Sequence, residues 1–326
     1  MPWRESATAI ITSWWPMSLF DWKAKREGWL GVRAAAGRLA AVHVVRGRKQ
    51  GAELRALIEF DSGGDLARDL LRLRRAAGAM RANCVAALEP AQYRLLQVDA
   101  PPVPAAERKE ALRWRLKDML DFPCADALID ALEVPAPDGR ARQLLAVAAP
   151  RRELRPLVEA YLAAHLGLEA IDIAESAYRN LATALAAQAG ESERGHALLV
   201  LDAGGGVLVF VWRGELVQAR RIESTAASVA ADQRYDAFDR LGLELQRSLD
   251  MFERAHSHIG LSRLWLAAAG ATEQLCAFLA SNLYLPVEAL DLGALLDLSA
   301  APALRSPETA APFLVPLGLA LRTEAA

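Results

Sequence analysis

Glycine-rich turns, a pair of histidines, isolated cysteines and one strongly basic helix are the parts of this chain whose residue types could carry chemistry. In Leu201-Asp202-Ala203-Gly204-Gly205-Gly206 a carboxylate precedes three glycines. Without Cβ atoms, such a backbone can bring its N–H groups close to an anion. The same run also reads as the flexible turn of a plain β-hairpin. His256 and His258 have one residue between them near a helix end, whereas two ligands on one helical face need three. Cys84, Cys124 and Cys276 lie far apart and form no C-x-x-C pair, so the expectation is reduced, buried thiols with no zinc knuckle or disulfide framework. Ser248 has no G-x-S-x-G elbow around it, which leaves nucleophilic catalysis without support. Arg108, Lys109, Arg113, Arg115 and Lys117 make a basic helix that either meets acidic partner residues or lipid headgroups, or is simply a solvated face.

The elements that must position these residues follow from the apolar pattern. Trp29 to Val32 and Leu39 to Val45 read as two strands joined by the small residues Ala34 to Gly37; Gly47 and Lys49 to Gly51 make a further turn, and Ala52 to Phe60 a third strand. Asp65 to Ala79 is predicted helical, with Leu66, Leu70 and Leu73 on one face. Tyr93 to Val98 is a strand. A helix follows from Pro104 with Leu112, Leu116, Met119 and Leu120 aligned, then strands at Leu128 to Val134 and Leu144 to Ala148, a helix around Leu154 to Leu162, and a strand at Ala170 to Ile173. The order β-α-β-β-α-β is that of a ferredoxin-like unit. After a helix from Glu175 to Gln188, the polar run Gly190 to Gly195 is a linker, and a second strand-turn-strand opening spans Ala197 to Val211. The strand Leu216 to Ile222, a long helix from Tyr235 to Phe252, strands at Leu264 to Ala267 and Val287 to Leu290, and helices at Thr272 to Asn282 and Pro312 to Leu321 complete the chain, with 300–309 as a loop.

Size and charge narrow the possibilities. A chain of 326 residues with 53% hydrophobic and 24% charged residues suits two packed lobes rather than one small core or a disordered tract. Lys and Arg total 38 against 40 Asp and Glu, and the net charge of −2 gives no general attraction to nucleic acid or anionic lipid. The apolar stretch Ala7 to Phe20 is broken by Pro16, is too short to span a bilayer and lacks a signal-peptide cleavage pattern. Residues 1–16 read either as a start-site artefact upstream of Met17 or as a floppy extension, and 1–27 as a disordered N-terminal extension.

Trp29-Leu30-Gly31-Val32, Leu112-Arg113-Trp114-Arg115-Leu116-Lys117-Asp118 with Asp121-Phe122-Pro123, Ile171-Asp172-Ile173 with Glu175 and Arg179-Asn180-Leu181, Gln246-Arg247-Ser248-Leu249-Asp250, and Leu317-Gly318-Leu319-Ala320-Leu321-Arg322 occur in this order. Together they resemble the PilM-like proteins of type IV pilus assembly, most closely the MshI family of mannose-sensitive-haemagglutinin (MSHA) pilus biogenesis, over Met17 to Arg322. The resemblance implies an α/β, actin-like (ribonuclease H-like) fold of two lobes: a first lobe at 28–91 with 174–190, a ferredoxin-like insert at 92–173, and a second lobe at 191–326; with only a few residues between Ile222 and Tyr235, this chain departs from the ATP-binding relatives in having a reduced second small subdomain. It implies a cytoplasmic protein at the inner-membrane face, joined to the membrane through a PilN- or MshJ-like bitopic protein whose cytoplasmic N-terminal tail it binds. Trp114 and Phe122, with Arg113 and Lys117, are the candidate residues for that tail; the two aromatics read equally well as core.

The same resemblance implies a nucleotide site and shows how this chain departs from it. The first phosphate turn of the family carries an Asp for Mg²⁺ or its water; here Gly31-Val32-Arg33-Ala34-Ala35-Ala36-Gly37 puts Arg33 there, and a guanidinium cannot coordinate a cation. Asp202 matches the acid of the second turn, with Gly204, Gly205 and Gly206 behind it. The adenosine-side double glycine is reduced to Gly270 in Ala267-Ala268-Ala269-Gly270-Ala271. The expectation is a vestigial nucleotide site, no cofactor, no metal, no catalytic residue and a pseudo-ATPase. The alternative is an ATPase of pilus or secretion machinery that binds ATP and Mg²⁺ through Asp202 and the three glycines.

Overall fold

The computed structural model describes residues 27–46, 52–77, 82–104, 107–137, 142–231 and 236–322. The expectations for 1–26, for the turn at 47–51 and for Tyr235 lie outside the described residues. Two compact units emerge; of the described residues, the first takes those within 27–46, 53–177 and 315–322, and the second residue 52 and those within 178–314.

The first unit is built on β1 (Trp29–Ala35), β2 (Arg38–Arg46), β3 (Ala52–Asp61), β4 (Asn83–Leu88) and β8 (Leu168–Ile173), in the sheet order β3-β2-β1-β4-β8. β1 pairs antiparallel with β2 and parallel with β4, and β4 parallel with β8. Asp65 starts α1 (Leu66–Ala77) by accepting the Arg68 N–H at 3.1 Å, which satisfies a first-turn donor. Leu70 and Leu73 of α1 are fully buried with Leu154 and Tyr161 of α3 (Arg151–Ala163) against Leu30, Cys84 and Ile171 of the sheet. Between them β5 (Arg94–Asp99), α2 (Arg108–Leu116), β6 (Ala127–Val134) and β7 (Gln143–Pro150) form a separate antiparallel sheet, β5-β7-β6. Its own core holds Val98, Leu112, Leu116, Phe122, Ile129 and Ala146.

The insert therefore differs from the expected one. All six predicted elements form, but β8 pairs with β4 in the main sheet, so α3 and β8 return to the first lobe and the insert keeps three strands. The cause is β4, a short run that the sequence reading passed over; it supplies the parallel edge on which β8 docks.

The second unit repeats the plan. β9 (Gly195–Asp202), β10 (Gly205–Trp212), β11 (Glu215–Ile222), β12 (Leu261–Ala268) and β13 (Val287–Ala289) take the order β11-β10-β9-β12-β13, with β9 antiparallel to β10 and parallel to β12. Each unit thus has a 3-2-1-4-5 sheet with the same sense of pairing around its first strand, and this duplication is the actin-like fold. α4 (Ala174–Gln188) passes from one unit to the next, and α5 (Ala226–Ala230) is the only helix described between β11 and α6 (Asp236–Ala255). α6 buries Phe238, Leu241, Leu245, Leu249 and Phe252, the stripe its spacing predicts, and Phe252 stacks on Phe210 with centroids 4.2 Å apart. α7 (Thr272–Asn282) and the short α8 (Pro307–Ala310) finish this unit; α8 lies where a loop was expected.

The closing helix α9 (Leu314–Ala320) belongs from Val315 onward to the first unit, not to the second as the linear reading placed it. Two glycines explain the packing. A Cβ on Gly31 would stand 2.0 Å from the Pro316 carbonyl oxygen, and one on Gly318 2.2 Å from that of Ala177. Only glycine permits these backbone approaches. Arg322 then places its guanidinium over the Trp29 ring at 4.9 Å and within 3.8 Å of the Asp172 carboxylate, joining three of the sequence pieces that carry the family resemblance. Among the described residues, no helix is long and apolar enough to cross a membrane.

Candidate functional site

The three turns that a nucleotide would use can be followed residue by residue within their own units. β1 continues through Ala35, which pairs with Arg38, leaving only Ala36 and Gly37 in the turn at φ 50° and 74°. Two consecutive residues at positive φ make a tight type I′ hairpin, so the expected small-residue link from Ala34 to Gly37 shortens to two residues. Ala34 and Ala35 are ladder residues. Arg33, one residue from the end of the β1–β4 pairing, donates from Nε and Nη2 to the two carboxylate oxygens of Glu89 at 2.9 and 3.0 Å. Glu89 follows β4 directly, its N–H bonds Gln92 Oε1 at 2.8 Å, and Gln92 Nε2 bonds Glu153 of α3 at 3.1 Å.

In the second unit Asp202 pairs with Gly205, and Ala203 and Gly204 form the turn. The Gly204 N–H donates to Asp202 Oδ1 at 2.8 Å, an Asx-type closure that uses the carboxylate on its own backbone. Gly205 and Gly206 lie inside β10. Gly205 has φ 131°, and a Cβ on Gly206 would meet Leu201 Cδ2 at 2.6 Å and Ile222 Cβ at 2.8 Å. Strand packing accounts for those two glycines, which leaves Gly204 as the single glycine at the tip.

Gly270 sits at φ 85° between β12 and α7. Its N–H donates to Glu308 Oε1 at 2.9 Å, while Ser306 Oγ donates to Glu308 Oε2 at 2.5 Å. The Ser306 hydroxyl, first, and then the backbone N–H groups at Glu308 and Gly270 hold the Glu308 carboxyl below the usual carboxylate range. At the start of α4 the buried Glu175 accepts a short hydrogen bond from the Tyr93 hydroxyl.

The four partner candidates separate. Phe122 is 9% exposed and belongs to the insert core, which corrects its assignment to a partner surface: it fills the space between α2 and the three-stranded sheet. Trp114 is 69% exposed, and Lys117 places its ammonium over the indole at 5.5 Å. Arg113 is drawn inward, donating to the Cys124 carbonyl at 3.1 Å and lying 3.9 Å from Glu110. Arg108 and Arg115 are likewise engaged, on Glu133 and on the Asp99 carbonyl. Of the basic run, Lys117 accompanies Trp114 at the surface.

The remaining candidates have structural surroundings. His256 lies against Phe252 at 5.0 Å, and His258 is edge-on to Trp212 at 5.5 Å. Ser248 is buried and donates to the Glu244 carbonyl at 2.7 Å. None of the three cysteines is in a disulfide, and Cys84 lies in the first core. Sequence reasoning missed Glu89 and Glu308. Each adjoins a proline, which marks a turn but not a distant partner.

No family model matches the chain, and no curated protein matches it. Among solved structures, a chain of the PilM-PilN type IV pilus biogenesis complex superposes with a TM-score of 0.70 at 24% identity, covering 91% of this chain and 98% of that one. The fold is PilM-like. The cytoplasmic domain of EpsL, an inner-membrane component of the Vibrio cholerae type II secretion system, reaches a TM-score of 0.43 at 15% identity, over 64% of this chain and 76% of that one. A Bacteroides thetaiotaomicron protein with an actin-like ATPase fold reaches 0.47 at 12% identity, over 88% and 99%. At those TM-scores neither match bears on function.

Proposed function

We propose that this chain is a cytoplasmic scaffold of type IV pilus assembly, of the MshI branch that serves MSHA-like pili, and that it works without nucleotide turnover. Its partner in this reading is the cytoplasmic N-terminal tail of a PilN- or MshJ-like bitopic inner-membrane protein, which holds it at the membrane. The PilM-like fold along almost the whole chain supports the scaffold role.

The observation that carries the reading is the bidentate hold of Arg33 on Glu89. Mg·ATP needs a carboxylate or water cradle and free backbone donors at the phosphate turns. At the matching positions stand a guanidinium committed to a neighbour, a hairpin reduced to two residues, and a Gly270 N–H that already serves Glu308. These residues do not fit the nucleotide. The exposed Trp114 with Lys117 suits an acidic, apolar tail, because the indole offers contact area and the ammonium a charge partner.

Two measurements test this. Calorimetric titration with the tail encoded by the adjacent reading frame is expected to show saturable binding that Trp114→Ala weakens; no heat at high concentration would count decisively against the scaffold. Melting with and without Mg·ATP is expected to show no shift, whereas a ligand at about a hundred times its Kd would add roughly 2.7 kcal/mol. A clear upward shift would favour the ATP-binding alternative through Asp202 and Gly204.

A further inference from the structure

The outward side of α6 carries a pattern that neither the core nor the turns require. Opposite its buried face lie Asp236, Arg240, Leu243, Arg247, Asp250 and Arg254, all exposed, separated alternately by four and three residues and so forming one straight stripe. Leu243 stands at the middle of this stripe, 53% exposed, and Met251 flanks it at 47%. Leu243 is the single apolar member of this charged stripe, and Met251 beside it takes the Arg220 Nη1 on its sulfur at 3.6 Å, so the face open to cover by a partner is defined by its charges.

The order of the charges says by what. We propose that α6 is the contact surface of a homodimer in which two copies of the helix lie antiparallel, related by a two-fold axis at the level of Leu245. That operation sets Arg240 of one protomer against Asp250 of the partner subunit, and Asp236 against Arg254 of the partner subunit. Each contact occurs twice, so four opposite-charge pairs flank the centre. Leu243 meets the aliphatic stem of Arg247 of the partner subunit, which can cover it while its guanidinium stays in water. A parallel pairing of the same stripe puts Arg240 on Arg240 and Asp250 on Asp250, so charge alone selects the antiparallel arrangement. One helix of this length makes an interface below the standard size, and its charges are at the rim. The dimer is therefore weak, and weaker still at high salt.

Positions 240 and 250 are too far apart to touch within one helix, which makes a charge exchange decisive. Sedimentation equilibrium on the full chain, up to about 200 µM so that a weak dimer is populated, reads the outcome. R240D and D250R are each expected to raise the Kd at least tenfold, because each homodimer then carries two like-charge contacts. An equimolar mixture of the two variants is expected to associate again as a heterodimer, and the double variant R240D/D250R to dimerise as the wild type does. Both positions are exposed, and melting temperatures near the wild-type value will show that the variants fold. A wild type that stays monomeric over the whole range, single variants that dimerise unchanged, or a mixture that stays monomeric would each overturn the proposal.

Discussion

Arg33 grips Glu89 with two parallel hydrogen bonds, Nε to Oε1 at 2.9 Å and Nη2 to Oε2 at 3.0 Å, and this fork ties β1 to the turn after β4. Side-chain exposures of 18% and 27% keep water from screening it fully. Removing one partner leaves the other charge half-buried without its counterpart, so Arg33→Ala is expected to cost about 1–3 kcal/mol in urea unfolding. Arg33→Lys should recover only part, because a point charge cannot reproduce the bidentate fork. The exchange R33E/E89R should recover most of it; a double variant no more stable than Arg33→Ala would contradict this account.

Acid should act on the second unit through Glu191 and His196. Glu191 accepts from Ser262 Oγ at 2.8 Å, His196 Nε2 at 3.2 Å and Arg263 Nη2 at 2.9 Å, and the Ser262 hydroxyl first, then His196 and Arg263, bring its pKa down to about 2. His196, buried and stacked on Trp265 with centroids 4.9 Å apart, has its pKa lowered by desolvation, which its contact with Glu191 partly opposes. Both folded values lie below the unfolded ones, so both groups contribute stability at neutral pH that is lost on acidification. The His196 contribution is lost as pH falls below the ordinary histidine value near 6.5, and the Glu191 contribution between about pH 4.5 and 2. Urea unfolding as a function of pH is expected to show both losses, and Glu191→Gln to flatten the lower one.

Much of this fold could be read from period and spacing, and the failures have physical causes. The α6 stripe from Phe238 to Phe252 is plain because a long helix with one buried face repeats its signal over about four turns. β4 is not. Its Asn-Cys-Val-Ala-Ala-Leu is short, and five of its six residues are buried, so a central parallel strand shows no alternation. Missing β4 left β8 without its neighbour and turned a three-stranded insert into an apparent ferredoxin-like unit. The duplicated hairpin openings were visible, yet the partners of Arg33 and Gly270 were not, because Glu89 and Glu308 lie 56 and 38 residues away in the chain. Phe122 and Trp114 looked equivalent as apolar residues; only packing separates the core residue from the exposed one.

The glycines after Asp202 should respond differently to added methyl groups. Gly206→Ala drives a Cβ to 2.6 Å from Leu201 Cδ2 and 2.8 Å from Ile222 Cβ, and overpacking of this kind costs about 1–3 kcal/mol. At Gly204 the nearest atom to an added Cβ is Asp202 Oδ1 at 3.5 Å, and the substitution should change stability by less than about 0.5 kcal/mol. A phosphate-binding loop would instead make Gly204 the sensitive position in a nucleotide titration. Thermal melts of both variants, with and without Mg·ATP, distinguish the two outcomes.

Gly270 is constrained by conformation as well as by space. Its φ of 85° and a Cβ position 3.0 Å from Ala230 Cβ make Gly270→Ala costly by roughly 1–2 kcal/mol. Glu308→Gln keeps the acceptor oxygen but removes the charge, so it should be milder than Glu308→Ala, which leaves the Gly270 N–H without its carboxylate. Chemical denaturation of the three variants checks the order, and equal losses for the two Glu308 variants would mean that the hydrogen bond to Gly270 contributes nothing.

The insert gives the sharpest separation between stability and recognition. Phe122 is packed with Leu112, Leu116 and Ile129, so Phe122→Ala opens a cavity and should cost about 3–5 kcal/mol. Trp114 projects from the same segment with 69% of its surface exposed and touches the Lys117 ammonium. Trp114→Ala loses little beyond that contact and should leave unfolding within about 0.5–1 kcal/mol of wild type. If the tail docks on this face, the same change removes an aromatic anchor and should weaken the peptide by tenfold or more. Calorimetry and urea unfolding on the two variants thus give opposite patterns. A Trp114 variant that binds the peptide as the wild type does would move the docking surface away from α2, while leaving the core role of Phe122 intact.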